Sequence, residues 1–338
     1  MRKTETLIGE SDAFLAVLDH ASRLATLNRP ILILGERGTG KELIAQRIHY
    51  LSTRWEQPLI SLNCAALAEG VIDSELFGHE AGAFTGAKGR HQGRFERAEN
   101  GTLFLDELAT APMGVQEKLL RVIEYGEYER VGGNKSCQAN VRLICATNQN
   151  LPQLAAEGKF RADLLDRLAF EVIHLPPLRA RVDDILPLAE HYAVRMCREM
   201  NFSYFAGFSS QAQQQLLDYA WPGNIRELKN VVERSVFRHA LEDEVIDTIV
   251  IDPFSTSWDA PTPTIEQPTA KPQPNQTVST LTFPIDLRQQ LQQQEITWIE
   301  QSLVLAKFNQ TKAAELLGLS YHQLRGLIRK YDLNVNGD

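Results

Sequence analysis

Two short stretches carry residue types that together can bind and break a phosphoanhydride. The first is Gly35-Glu36-Arg37-Gly38-Thr39-Gly40-Lys41-Glu42. Its three glycines let the backbone fold around an anion with N–H groups turned inward. Lys41 adds a point charge where the β- and γ-phosphates of a nucleoside triphosphate would lie, and a helix start adds its positive dipole end. Glu42 departs from the general pattern, standing where a Ser or Thr hydroxyl ordinarily meets Mg²⁺. The second stretch is Gly101-Thr102-Leu103-Phe104-Leu105-Asp106-Glu107, an apolar run delivering two acids. Asp106 is of the type that holds Mg²⁺, directly or through water, and Glu107 of the type that polarises an attacking water. Either motif alone has a plain reading, a glycine turn before a helix or an acidic turn after a strand. Their co-occurrence points to a nucleoside triphosphate site.

Further polar groups stand at related places. Thr147 and Asn148 end the apolar run Val141-Arg142-Leu143-Ile144-Cys145-Ala146 and suit sensing of a γ-phosphate. Arg226 falls in the first turn of an expected helix, where a cation is electrostatically unwelcome unless an anion lies nearby. Arg161 and Arg167 flank a short acidic-apolar segment. They can pair with Asp163 and Asp166 at a surface, or reach a neighbouring subunit's phosphates as arginine fingers; the residues alone leave both readings open.

These groups need strands to deliver them. Ile31-Leu32-Ile33-Leu34 precedes the glycine loop, and Leu43 to Ile48 follows it as an amphipathic helix. Leu59 to Cys64 and Phe170 to Leu175 read as further strands, closed in the second case by Pro176-Pro177. Strands alternating with helical segments predict an α/β fold, a parallel sheet flanked by helices with the site at the strands' carboxyl ends. A helix is expected within residues 7–28, after the good N-cap types Ser11 and Asp12. About thirty residues precede the glycine loop, which predicts no separate sensory domain. From Leu178 to Ile251 the pattern is helical, with helices expected over Val182–Met200, Ser209–Tyr219 and Asn224–Ala240. The last is broken from the second by Trp221-Pro222-Gly223 and expected to be capped by Asn224.

At 338 residues the chain accommodates two or three domains. Its formal charge of −8 carries no whole-chain signature of nucleic-acid binding, so any such role must come from a local patch. Cys64, Cys137, Cys145 and Cys197 have neither metal-ligand nor disulfide spacing and predict reduced thiols. With no signal core and no long apolar run, a soluble cytoplasmic protein without membrane insertion is expected. Trp55, among polar residues at a helix end, reads either as a ring capping the sheet edge or as an exposed docking side chain.

Residues 252–284 are rich in Pro, Thr, Ser and Gln and read as an extended linker. The tail turns helical again. Gln310 to Leu317 and Tyr321 to Tyr331 flank a turn at Gly318-Leu319-Ser320, a helix-turn-helix pattern. Leu324, Leu327, Ile328 and Tyr331 share one face. From Lys307 to Lys330 there are five Lys/Arg and one acid. Lys312, Arg329 and Lys330 are expected on phosphates and His322, Gln323 and Arg325 near base edges, with Tyr321 a further DNA contact.

The most specific stretch is Glu75-Leu76-Phe77-Gly78-His79-Glu80 leading into Gly82-Ala83-Phe84-Thr85-Gly86-Ala87. Glycines bracketing a lone Phe84 predict an exposed loop with an apolar tip. Here the chain resembles the bacterial enhancer-binding proteins, AAA+ ATPases that activate sigma-54 RNA polymerase. GAFTGA is their signature, and the GERGTGKE, ELFGHE, GTLFLDE and WPGNIREL segments agree, so the resemblance runs from about Leu7 to Ile251. The tail resembles the family's Fis-type module.

The resemblance implies a P-loop AAA+ subdomain over residues 1–177, an all-α lid over 178–251, the linker over 252–284 and the DNA-binding module over 285–338. It makes Glu42 the family's usual residue and places Asn63 where the catalytic Glu107 is restrained. Thr147 and Asn148 become sensor I, Arg226 sensor II, and Arg161 and Arg167 the trans arginine fingers. Residues 82–87 become the sigma-54 contact. It further implies ATP and Mg²⁺ as ligands, a hexameric ring, sigma-54 RNA polymerase holoenzyme and enhancer double-stranded DNA as partners, and phage shock protein A as an inhibitor, with Trp55 the candidate contact.

Overall fold

The computed structural model describes residues 7–239, 244–254, 287–306 and 309–331, in two compact units, Met1–Asp259 and Ala260–Asp338. In the first, α1 (Asp12–Ala25) leads to β1 (Ile31–Leu34) and α2 (Lys41–Tyr50). Then come β2 (Leu59–Asn63), α3 (Glu69–Phe77), α4 (Arg94–Arg97), β3 (Thr102–Asp106) and α5 (Met113–Tyr125). A hairpin of β4 (Glu127–Glu129) and β5 (Ser136–Gln138) precedes β6 (Arg142–Thr147), α6 (Leu151–Ala156), α7 (Ala162–Leu168) and β7 (Val172–His174). The hairpin was not foreseen: its two three-residue strands are mostly polar and offer no apolar run.

The main sheet is parallel throughout, in the order β2-β3-β6-β1-β7. Its strands read as unbroken apolar runs because both faces are covered by helices. Alternation sorts them: Ile31, Ile33, Phe104 and Ile144 pack with α1 and α2, whereas Leu32, Leu103, Leu105, Leu143 and Cys145 join a second core with α3, α5 and α7. The order places the chemistry side by side. Asn63 pairs in register with Asp106, β6 lies between β3 and β1, and Thr147 pairs with Leu34 immediately before the glycine loop. Arg142, buried at the other end of β6, donates to the Leu24 and Ala25 carbonyls and closes α1's carboxyl terminus.

The lid follows two short 3₁₀ turns, Leu178–Ala180 and Val182–Asp184, which delay the first expected helix to α8 (Ile185–Glu199). With α9 (Ser210–Asp218) and α10 (Asn224–His239) it encloses its own core around the fully buried Trp221. The linker expected over 252–284 lies outside the described residues after Phe254.

In the second unit α11 (Leu287–Leu305), α12 (Gln310–Leu316) and α13 (Tyr321–Lys330) pack around Ile299, Leu303, Ala313, Ala314, Leu324 and Ile328. Among the described residues no helix is long and apolar enough to cross a membrane.

Candidate functional site

The loop after β1 wraps because Gly38 and Gly40 take φ of +78° and +98°, values a side chain rarely allows. At Gly38 the glycine is also steric: a Cβ there would sit 2.3 Å from the Gly223 carbonyl of the lid. Lys41, nearly buried, donates to the Gly35 carbonyl at 2.9 Å and the Glu36 carbonyl at 3.2 Å. Burial pushes its pKa down, while Glu107 and Asp106 push it back up. Thr39 Oγ1 donates to the Glu36 carbonyl at 2.8 Å, tightening the same turn.

Facing the loop, β3 ends in the acidic pair. Asp106 Oδ1 accepts from the Glu107 N–H at 3.0 Å, and Asn63 Nδ2 donates to Asp106 Oδ2 at 3.1 Å. Asn63 was expected to restrain Glu107; its bond goes instead to Asp106, its register partner across β2 and β3. Glu107 is held from the other side. The Asn148 carboxamide, with its nitrogen turned to the carboxylate as the surrounding donors require, donates to Oε2 at 2.9 Å and accepts from Arg37 Nε at 3.3 Å. Arg37 Nε is itself 3.9 Å from Glu107 Oε1. Glu107 adopts φ +51°, a left-handed conformation uncommon for a non-glycine residue and typical of functional sites. Thr147 is fully buried, its hydroxyl accepting from the Gln149 N–H at 3.1 Å.

The lid completes the enclosure. A cavity of about 840 Å³ is lined by Arg37 to Glu42, Asn63, Asp106, Glu107, Arg181 and Arg226, among others. Thus α10 delivers Arg226 to the space lined by Lys41, the glycine loop and the acidic pair. Asn224 does not act as the expected cap. It has φ +54°, and its side chain accepts from the Leu178 N–H while donating to Glu36 Oε2 at 3.0 Å and the Arg37 carbonyl at 3.1 Å. Glu36 is also gripped by Arg179 at 2.9 and 2.5 Å. The hydrogen bonds from Arg179 and then Asn224 pull the Glu36 carboxyl from 4.5 down to about 2. Arg181, buried over the Phe14 ring, donates to the Thr39 carbonyl at 3.0 Å. Reasoning from the sequence missed Arg179, Arg181 and the role of Asn224. They lie more than 140 residues from the loop, and no local pattern ties them to it.

Arg161 and Arg167 lie away from this cavity. Arg161 pairs with Asp163 at 3.0 and 2.7 Å, as one reading foresaw. Arg167 pairs with Glu124 at 2.9 Å rather than with Asp166.

Gly82 to Ala87 form a turn closed by Gly82 N–H to the Ala87 carbonyl, with φ of +81° and +106° at Gly82 and Gly86. Phe84 is 48% exposed, its ring edge-on to His79 at 4.9 Å. Ala83 rests on Gly132 of the hairpin, and Glu80 pairs with Arg130 at 3.0 Å. Trp55 is 57% exposed, while its neighbour Arg54 reaches the Gly101 and Asn140 carbonyls ahead of the interior strands β3 and β6.

In the tail, Lys312, Tyr321, His322, Arg325 and Arg329 are exposed, and Lys330 donates to the Tyr331 hydroxyl at 2.6 Å. Gln323 is committed locally: its Oε1 accepts from the Ser320 N–H and hydroxyl at 2.9 Å, making a capping box. The S-x-x-Q spacing of Ser320 and Gln323 signals this in sequence.

Comparison with known proteins matches residues 7–174 to the sigma-54 interaction domain, 179–257 to the AAA+ ATPase lid domain and 290–331 to the bacterial regulatory proteins of the Fis family. The Psp operon transcriptional activator of Escherichia coli (strain K12) is 60% identical over 97% of this chain and 98% of its own. The Nif-specific regulatory protein of Azotobacter vinelandii is 41% identical over 97% of this chain and 59% of its own. Among solved structures, NtrX from Brucella abortus in complex with ATP superposes with a TM-score of 0.68 at 31% identity, covering 97% of this chain and 70% of that one.

Proposed function

Since the chain belongs to the sigma-54-dependent AAA+ activators, we propose that it is a phage-shock-type activator that binds enhancer DNA and hydrolyses ATP to remodel closed complexes of sigma-54 RNA polymerase. The observation that carries this is one cavity shared by the glycine loop, the acidic pair and the lid's Arg226. In the same subunit an apolar fingertip, Phe84, stands exposed on a glycine-hinged loop.

The site residues divide the work. Gly35 to Glu42 wrap the triphosphate, Lys41 leaving the Gly35 and Glu36 carbonyls for the β- and γ-phosphates. Glu107 orients the attacking water, and Asn148, which bonds it here, reports the γ-phosphate. Asp106 with waters and phosphate oxygens is the hard-oxygen set Mg²⁺ takes, without a cage of protein carboxylates. When bound, that ion neutralises charge on the transferring phosphoryl. Asn63 fixes Asp106 for this purpose.

We assign Arg161 and Arg167 to the neighbouring subunit's cavity, because neither lines its own. That requires a ring, which we take as hexameric. The exposed Trp55 is our candidate contact for phage shock protein A, acting as inhibitor in trans. Purified chain should hydrolyse ATP and open a sigma-54 promoter carrying an upstream enhancer. A chain that opens such promoters with a non-hydrolysable ATP analogue would overturn the reading.

A further inference from the structure

The outer edge of the phosphate loop is bonded to the lid by residues that touch no part of the cavity's acidic pair. Four successive loop residues are held. Glu36 takes both Arg179 donors and Asn224 Nδ2. The Arg37 carbonyl accepts from Asn224, the Gly38 carbonyl from the Ile225 N–H at 3.0 Å, and the Thr39 carbonyl from Arg181. The surfaces meet backbone to backbone, since any side chain at Gly38 would strike the Gly223 carbonyl. The lid side is strained to make this fit: Trp221 and Asn224, both non-glycine, have φ of +50° and +54°. Strain of that kind persists only where surrounding bonds over-determine it. Arg226, next in α10, faces the cavity from the same turn.

We propose that Arg179 and Asn224 are positioning residues acting through Glu36, clamping the phosphate loop to the lid so that nucleotide affinity depends on how the lid is seated. This rests on the cavity being the ATP site. The clamp works at both ends. It fixes the rim of the loop from Glu36 to Thr39, and it fixes the turn from which Arg226 projects. A change in the seating of the lid would therefore reach the loop through the Glu36 carboxylate and the three carbonyls that follow it.

The test uses the full chain, with ATP turnover and binding of a fluorescent N-methylanthraniloyl ADP as readouts. Arg179 is half exposed, so Arg179→Ala should fold. We expect Arg179→Ala and Glu36→Ala each to raise the ATP KM and weaken nucleotide binding about three- to tenfold, with kcat within about threefold and the thermal midpoint only slightly lowered. The double variant should be no worse than Glu36→Ala alone, because removing Glu36 already removes the Arg179 contact. Glu36→Gln, which keeps an acceptor for both partners, should recover part of the loss. Additive singles, or singles indistinguishable from wild type, would overturn the clamp while leaving the ATP site standing. Wild-type chain that neither binds nor hydrolyses nucleotide would overturn both.

Discussion

Asn148 donates to Glu107 at 2.9 Å across the β3–β6 boundary, while Asn63, on the other flank of β3, is spent on Asp106. The carboxylate proposed to activate water is thus tied to the residue proposed to sense the γ-phosphate. Glu107→Gln keeps the size and one acceptor for Asn148 but removes the negative charge that polarises water. We expect kcat for ATP to fall by about 10²–10⁴ with nucleotide binding retained. A variant with near-normal turnover would remove Glu107 from the chemistry.

Arg167 lies on α7 paired with Glu124, not over its own chain's cavity. If it completes a neighbour's site, Lys41→Ala and Arg167→Ala are each inactive for different reasons. Mixed rings then contain some interfaces with an intact Lys41 opposite an intact Arg167. Mixing the two inactive proteins should restore measurable ATP turnover, and a flat mixing curve would count against completion in trans.

The central sheet and the two motifs were legible in the sequence because buried parallel strands are continuous apolar runs, and because phosphate loops need glycine at fixed places. Leu32 and Ile33 announce a strand by themselves. What stayed hidden was pairing at a distance. Nothing near Glu36 announces Arg179 or Asn224, and Asn63's partner follows only from strand register. The β4–β5 hairpin was missed because Glu127 and Glu129 face solvent and only Tyr128 is buried. Gln323, expected near base edges, closes the capping box that its S-x-x-Q spacing with Ser320 encodes.

Glu36 supplies a pH dependence whose sign is fixed. Its carboxyl falls from 4.5 to about 2 in the folded chain, chiefly through the Arg179 hydrogen bond. A depressed folded value means the clamp's contribution to stability is full above pH 4.5 and lost as pH drops toward about 2. Replacing the carboxylate by an amide removes this contribution. Acid unfolding followed by circular dichroism should therefore show a shallower limb below pH 4.5 in Glu36→Gln than in wild type. Identical limbs would place the acid lability elsewhere.

Phe84 and Trp55 are exposed aromatics on different segments, and their losses should separate. Phe84→Ala removes the tip of the GAFTGA turn without touching the cavity. ATP hydrolysis should persist while sigma-54 binding is lost, measured by gel shift with the nucleotide-bound protein. Trp55→Ala should keep both activities and lose inhibition by phage shock protein A. Either variant behaving like wild type in its own assay would refute that assignment.

The tail divides its polar residues between building the helix and meeting DNA. Gln323 closes a capping box, so Gln323→Ala should cost the isolated start of α13 about 0.5–2 kcal/mol, seen in thermal melts, with little change in sequence preference. Arg325 is exposed on the same helix. Arg325→Ala should weaken enhancer binding by about 1–3 kcal/mol and relax preference at one base pair. Arg329→Ala should instead weaken all sequences alike and lower the salt slope by about one. Titrations of full-length chain on enhancer and scrambled DNA at several salt concentrations distinguish these patterns. A Gln323→Ala variant that loses specificity at unchanged melting temperature would reverse the roles of Gln323 and Arg325.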